Sequence, residues 1–226
     1  INQLRTAGLN IMMSMKEEGK PISFVEDCAV PLEHLADYTA RLAEVFERHG
    51  TRGTWYAHAG SGCLHVRPVL NLKLEQDART MRAIAEEAFA MVRDYKGSHS
   101  GEHGDGIVRS EFHAFMFGER LVRAFEAVKD RVDPRGTFNP NRIVRPPRMN
   151  DRALFRYHSD YAVATHAPVL DWSEFPRANP AAGFQAAVEM CNNNGACRAL
   201  AGEVMCPSYR ATRDERDVTR GRANTL

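Results

Sequence analysis

Long apolar runs are missing from this 226-residue chain. No stretch approaches the roughly 18 residues that a membrane-spanning helix needs, so no helical span is expected. Net charge is nearly missing too. The 30 Lys and Arg stand against 29 Asp and Glu, a net +1 with neutral His. That balance gives no footing for a nucleic-acid partner or an anionic surface. No secretory leader pattern opens the chain. The five cysteines, Cys28, Cys63, Cys191, Cys197 and Cys206, are odd in number and unevenly spaced. With no leader, free thiols or metal ligands are expected in place of a disulfide framework. The glycine-rich run at 101–106 lacks the G-x-x-x-x-G-K-[ST] spacing and follows a helix, which excludes a P-loop or a dinucleotide fingerprint. The chain starts at Ile1, without Met and without a helix cap, and stops just after a dense motif; further sequence is expected on both sides.

What the sequence does contain is ordinary in bulk and unusual in two places. Hydrophobic residues make up 43% and charged residues 26%, enough for a sizeable core. The unusual places are His58-Ala59-Gly60-Ser61-Gly62-Cys63-Leu64-His65 and Gly101-Glu102-His103-Gly104-Asp105-Gly106. They bring three imidazoles and two carboxylates together among glycines.

The local pattern predicts the following order. Residues 1–19 read as the end of a helix stopped at Gly19-Lys20-Pro21. Residues 22–30 read as a strand. Pro31 opens a helix with Leu35, Tyr38, Leu42, Val45 and Phe46 at helical spacing, ending at His49-Gly50. Residues 54–58 and 64–70 read as two strands joined by the glycine turn. Residues 75–95 form a long helix with Met81, Ile84, Ala85, Ala88, Phe89 and Val92 on one face. Residues 101–106 are a loop. Residues 110–132 are helical, broken near Gly118, and 133–136 are a turn. This order predicts an α+β fold: an antiparallel sheet covered by helices, with a helical C-terminal extension. Three regions follow: 1–145 as the main domain, 146–183 as a proline- and arginine-rich linker or wrapping segment, and 184–226 as a small cysteine-containing module.

His58 and His65 are seven residues apart, so across a strand–turn–strand their side chains can converge. Two imidazoles plus a carboxylate make an open three-ligand metal site. Glu102 is the best carboxylate for it, and His103 beside it is the candidate general base. The plain alternative is two hydrogen-bonded core histidines and a solvated loop. Arg67 offers a fork that binds carboxylates. Cys191, Cys197 and Cys206-Pro207 form a second candidate set. Their spacing departs from the C-x2-C-x2-C-x3-C-P ferredoxin run, and a cubane cluster takes four thiolates; unliganded thiols are the alternative.

At these residues the chain resembles the FAD-linked oxidases of the vanillyl-alcohol-oxidase superfamily, in their C-terminal, substrate-side domain. D-lactate dehydrogenases, the glycolate oxidase D subunit and D-2-hydroxyglutarate dehydrogenases are members. The family's H-x-G-D-G-N-L-H, G/A-E-H-G and D-P-x-G-x-x-N-P runs resemble 58–65, 101–104 and 133–140. The resemblance covers residues 1–145 and implies a ferredoxin-like cap domain. The tail resembles a subgroup fused to an iron–sulfur module, which implies that 184–226 is the start of a truncated ferredoxin-type module and that electrons pass to it from FAD.

The resemblance implies a divalent metal, zinc above all, on His58, His65 and Glu102, with His103 taking the hydroxyl proton. It implies substrate contact at Arg67 and flavin contacts at Gly104 and Asn139. It also implies FAD held mainly by an N-terminal domain, and a 4Fe-4S cluster taking Cys191, Cys197 and Cys206. The implied substrate is a D-2-hydroxy acid of the D-lactate or D-2-hydroxyglutarate type, oxidised to the 2-oxo acid. The electron acceptor and the oligomeric state stay open, a homo-oligomer included. The expected location is the cytoplasm, with peripheral attachment to the inner membrane kept open. Two departures stand out: the family's turn Asp and Asn are Ser61 and Cys63 here, and its Asn beyond the second histidine is Arg67. A metal-dependent hydrolase using the same site and a non-catalytic assembly domain are the alternative functions.

Overall fold

The computed structural model describes residues 8, 11–162, 168–175, 183–201 and 206–225. The chain divides into two compact units, Gly19–Tyr161 on one hand and Ile1–Glu18 with Ala162–Leu226 on the other.

The larger unit is built around one strand. Its elements are β1 (Lys20–Pro21), β2 (Cys28–Ala29), α1 (Leu35–Arg48), β3 (Gly53–His58), β4 (Cys63–Leu70), α2 (Glu75–Asp94), α3 (His113–Phe117) and α4 (Glu119–Val132). β3 runs antiparallel along residues 63–68 of β4, from Gly53 opposite Pro68 to His58 opposite Cys63. On the other edge of β4, β1 pairs with its end at Val69 and Leu70, and β2 with its start at Cys63 and Leu64. The expected α+β class holds: an antiparallel sheet with helices.

The strand expected over 22–30 is corrected. Only Cys28–Ala29 is strand there, and Lys20–Pro21 pairs with β4 where a helix stop was expected. Between the two pairings the chain turns away from β4. The reason is polar: Glu26 accepts from the Arg67 side chain on β4, and Asp27 accepts from the Gly101 backbone outside the sheet. The helix expected from Pro31 also begins later, after a 3-10 turn at Leu32–His34. Of the helix expected over 1–19, residues 1–7, 9 and 10 lie outside the described residues; 11–13 are helical and 15–19 are not.

Strand side chains alternate between faces. One face of the β3–β4 pair therefore carries Thr54, Tyr56, His58, Cys63, His65 and Arg67, and the other Trp55, Ala57, Leu64 and Val66. The second face meets the helices. Tyr38, Leu42, Val45 and Phe46 of α1 join Met81, Ile84, Ala85, Ala88, Phe89 and Val92 of α2 in one buried core with Leu64 and Val66. Truncating a fully buried aromatic there, such as Phe89, costs about 3–5 kcal/mol. The turn between β3 and β4 needs its glycine. Gly62 has φ +71, and a Cβ there would lie 2.0 Å from the Val30 carbonyl oxygen. That approach lets the Val30 N–H donate to the Gly62 carbonyl at 3.1 Å, tying the turn to the chain after β2.

In the second unit the described helices are α5 (Gly183–Glu189), α6 (Pro207–Thr212) and α7 (Thr219–Thr225). Among the described residues no helix is long and apolar enough to cross a membrane.

Candidate active site

Register brings the two histidines together. His58 stands opposite Cys63, two positions from His65, on the same face of the sheet. Diagonal neighbours of this kind are within reach of large side chains. The rings sit edge to face with centroids 5.1 Å apart. Both Nε2 atoms point at one oxygen, Glu102 Oε1, at 3.0 Å from His58 and 2.9 Å from His65. His65 is 1% exposed, while the side chains of His58 and Glu102 are 44% and 48% exposed. One ligand is thus anchored in the fold and two face solvent, open to a small molecule.

Glu102 reaches this point because the loop that carries it folds around a buried carboxylate. Asp27, 0% exposed, accepts the N–H groups of Gly101, Glu102 and His103 at 2.9, 2.9 and 3.0 Å. Gly101 is required for the wrap: a Cβ there would meet Cys63 Sγ at 2.8 Å and the Asp27 carbonyl oxygen at 2.9 Å. Arg109 Nη2 braces the same carboxylate at 3.1 Å.

His103, next in the chain, turns back over the site. Its ring stacks on His65 with centroids 4.5 Å apart and planes 10° apart. Its Nδ1 faces Glu26 Oε1 at 3.4 Å and its Nε2 faces Glu102 Oε1 at 3.6 Å. The other Glu26 oxygen accepts from Arg67 Nε at 2.6 Å. Arg67 is buried, and its Nη2 also donates to the Tyr56 hydroxyl at 3.4 Å. Glu26 and Asp27 were missed at the sequence level, since they stood in what read as an apolar strand.

Burial pushes His65 below the ordinary imidazole range, with the His103 charge acting the same way. The ring is therefore neutral near pH 7 and has a lone pair to give. Cys63 is pushed up to about 11, by burial first and then by Asp27 and Glu102. It stays a thiol, so the neighbouring Asp27, Cys63 and His65 set lacks the thiolate that metals bind.

The donor set of His58, His65 and Glu102 fits a divalent cation. The three ligand atoms lie within 4.8 Å of one another, and two nitrogens share one oxygen at 3.0 and 2.9 Å. Donors around a tetrahedral zinc, at bonds near 2.0–2.1 Å, stand about 3.3 Å apart.

The remaining expected residues are placed as follows. Gly104 follows His103 at φ +73, with nothing within 4 Å of where a Cβ would be. Asn139 is exposed at φ 44 in the turn after α4. Asp133 shapes that turn by accepting the N–H groups of Thr137 and Phe138, each at 2.9 Å. In the second unit Cys191 and Cys197 line one cavity of about 780 Å³ with Asn193, Gly195, Thr219 and Arg220. Cys206 is buried; its sulfur lies 2.7 Å from the Thr219 hydroxyl and accepts the Thr219 N–H at 3.2 Å. Among the described residues the three sulfurs do not all lie within 4.8 Å of one another.

Comparison with known proteins gives the chain a family. Residues 1–143 match the family model of FAD linked oxidases, C-terminal domain, and the chain belongs to that family. Within it, the chain is similar along its length to two D-2-hydroxyglutarate dehydrogenases. That of Pseudomonas putida (strain KT2440) is 32% identical over 99% of this chain, and that of Escherichia coli (strain K12) 33% identical over 100%. The glycolate oxidase subunit GlcD of Bacillus subtilis is 23% identical over 55% of the chain and 26% of its own length. The chain spans only 21% of the length of either dehydrogenase.

Proposed function

We propose that this chain is the substrate-side domain of an FAD-dependent oxidoreductase that oxidises a D-2-hydroxy acid, of the D-lactate or D-2-hydroxyglutarate type, to the 2-oxo acid. One observation carries the reading: His58 and His65 converge on a single Glu102 oxygen with His103 stacked beside them. Whole-length similarity to D-2-hydroxyglutarate dehydrogenases supports the substrate class.

In this reading His58, His65 and Glu102 hold a divalent metal, zinc for preference, and FAD is bound mainly outside these residues. The loop's N–H groups are taken by Asp27, so they do not cradle a phosphate. Gly104, with nothing within 4 Å of where a Cβ would be, and the exposed Asn139 are the residues of this chain that would contact the flavin. When bound, the cation supplies polarisation of the substrate's hydroxyl and carboxylate, and the flavin supplies the acceptor for the hydride.

The protein's own groups do the rest. His103 takes the hydroxyl proton at Nε2 while Nδ1–H faces Glu26, whose carboxylate stabilises the resulting imidazolium. Arg67 orients the substrate's carboxylate end. Its pairing with Glu26 offsets part of its charge, so the cation, when bound, would supply most of the attraction for the substrate's carboxylate. The C-terminal cysteines are read as the start of an iron–sulfur module. The second unit offers three thiols, Cys191, Cys197 and Cys206, one fewer than a four-thiolate cluster takes, and no electron-transfer step is assigned to them. The same reading makes the protein a cytoplasmic enzyme acting on a small molecule.

Metal analysis tests the reading. The purified chain should hold about one Zn²⁺ or Mn²⁺. Equal metal content in the wild type and the His58→Ala/His65→Ala variant would overturn it.

A further inference from the structure

A second cluster in the same unit has similar residue types: His99, Asp105 and His113, all buried. Its hydrogen bonding is incomplete as ordinarily drawn. His113 Nδ1 lies 3.2 Å from the Ile143 carbonyl oxygen, and its Nε2 lies 2.7 Å from Asp105 Oδ2. A carbonyl oxygen only accepts. Asp105 is also an acceptor. Burial would raise its carboxyl, but the His113 hydrogen bond and the His99 and Arg109 charges outweigh burial and hold it below the usual range. A neutral imidazole offers one N–H and one lone pair. In either tautomer one lone pair would face an oxygen lone pair in a dry site.

The charge balance points the same way. Arg109 Nε donates to Asp105 Oδ1 at 2.9 Å, and its Nη2 donates to Asp27 Oδ2 at 3.1 Å and to the Gly104 carbonyl at 2.5 Å. With Asp27, Asp105 and Arg109 all buried, two negative charges meet one positive charge. Unbalanced charge is costly in such a place. One more proton closes the balance.

A metal ion is the competing explanation, and three features argue against it. The cluster supplies three donors among the described residues and all three are buried, so solvent does not complete the coordination as at an open three-ligand site. The Arg109 guanidinium already occupies the one carboxylate. The rings of Phe89 and Phe117 pack on His99 at 5.2 and 5.4 Å, where further ligands would come.

We propose that His113 donates from both ring nitrogens, to Ile143 and to Asp105, and so closes a buried, charge-neutral clamp of Asp27, Arg109, Asp105 and His113 that positions the loop carrying Glu102 and His103. The clamp holds the loop at several points. Asp27 takes the N–H groups of 101, 102 and 103, Arg109 takes the carbonyl of 104, and the Ile143 N–H donates to the Gly106 carbonyl at 3.3 Å. The protonation of His113 stands on its own; its service to Glu102 rests on the metal-site reading above. His113 is a positioning residue and touches no reacting atom.

Long-range ¹H–¹⁵N correlation on the labelled wild-type chain near neutral pH tests the protonation. Both His113 ring nitrogens should fall in the protonated range; a single-tautomer pattern would overturn the clamp. In Asp105→Asn the Asn amide can donate to His113 Nε2, so that nitrogen should lose its proton. Its retention would count equally against the proposal.

Zn²⁺ titration tests the positioning. His113→Phe should weaken binding at His58, His65 and Glu102 by about tenfold, as loss of an outlying partner does, and His113→Gln should recover part of it. Equal affinity in wild type and His113→Phe would refute positioning. A wild type that binds no Zn²⁺ would instead refute the metal-site reading and the positioning that rests on it, with the protonation still decided by the nitrogen signals. A second Zn²⁺ per chain, lost in His113→Phe, would replace the proton with a metal.

Discussion

Two clusters of histidine and carboxylate stand on either side of one glycine-rich loop, and they do opposite things. His58, His65 and Glu102 have one buried member and two exposed ones, and two nitrogens share one oxygen. His99, Asp105 and His113 are all buried, and their carboxylate is already held by Arg109. The first set has unused ligand capacity and a path to solvent. The second has its charge closed internally. Residue type alone does not separate a chemical site from a structural one. Exposure and the presence of a competing cation do.

Removing the group that links the two sides should have the largest effect. Asp27→Ala would leave three loop N–H groups without their acceptor and Arg109 with one carboxylate fewer. Breaking a buried ionic arrangement from one side costs about 3–5 kcal/mol. Urea unfolding should show that loss, together with loss of Zn²⁺ binding by the exposed cluster. A loss under about 1 kcal/mol would mean that the loop is held elsewhere.

Acid should separate the clusters next. His99 is fully buried with no hydrogen-bond partner at either ring nitrogen among the described residues. Burial lowers it from 6.5 to about 4, outweighing the nearby Asp105 charge. A base whose folded value is depressed contributes stability that is present above its unfolded value and lost as pH falls through the folded one. The loss should therefore run from about pH 6.5 down to about 4 and reach at most about 3 kcal/mol. His99→Phe should flatten the stability profile in that window relative to wild type. An unchanged slope would show that His99 is not the titrating group.

On the exposed side, His103→Ala in the full-length, flavin-loaded enzyme should lower kcat about 100-fold with flavin retained, or about 2.7 kcal/mol of barrier. Near-normal turnover at neutral pH would remove His103 from the proton-accepting role and leave it only as the ring stacked on His65.

Much of the fold was legible in the sequence because its signals are local. The 3.6-residue spacing of Tyr38, Leu42, Val45 and Phe46, and of the α2 core residues, matches the buried faces of both helices. The alternation and the glycine turn fixed β3 and β4, and with them the meeting of His58 and His65. Glu102 was legible as a carboxylate of the right kind; that it reaches both histidines depends on Asp27, 75 residues earlier and in direct hydrogen bond to its N–H. No spacing rule marks such a long-range partner. Glu26 and Asp27 sit among Phe24, Val25, Cys28 and Val30, so a pattern of apolar residues concealed a turn that two carboxylates enforce. His113 was missed for the same reason: its hydrogen-bond partners, Asp105 and Ile143, lie 8 and 30 residues away, and His99 has only the Asp105 carboxylate nearby, at 3.8 Å.

The cysteine unit sharpens the comparison from the other end, and there the expected change is none. A four-iron cluster needs four thiolates brought within a few ångströms. The unit offers Cys191 and Cys197 on one cavity wall and Cys206 buried against Thr219. The two other cysteines are in the larger unit. Cys28 is pushed up to about 12 by burial, and Cys63 lies in the histidine hairpin and is pushed up to about 11 by burial; neither gives a thiolate readily. Anaerobic reconstitution of this chain with iron and sulfide should therefore yield well under one four-iron cluster per chain, and Cys197→Ser should change that yield little. A robust cluster with the absorption of a cubane would show that the three thiols rearrange and recruit a fourth ligand. The difference between a preassembled site at His58 and an unassembled one at Cys191 would then disappear.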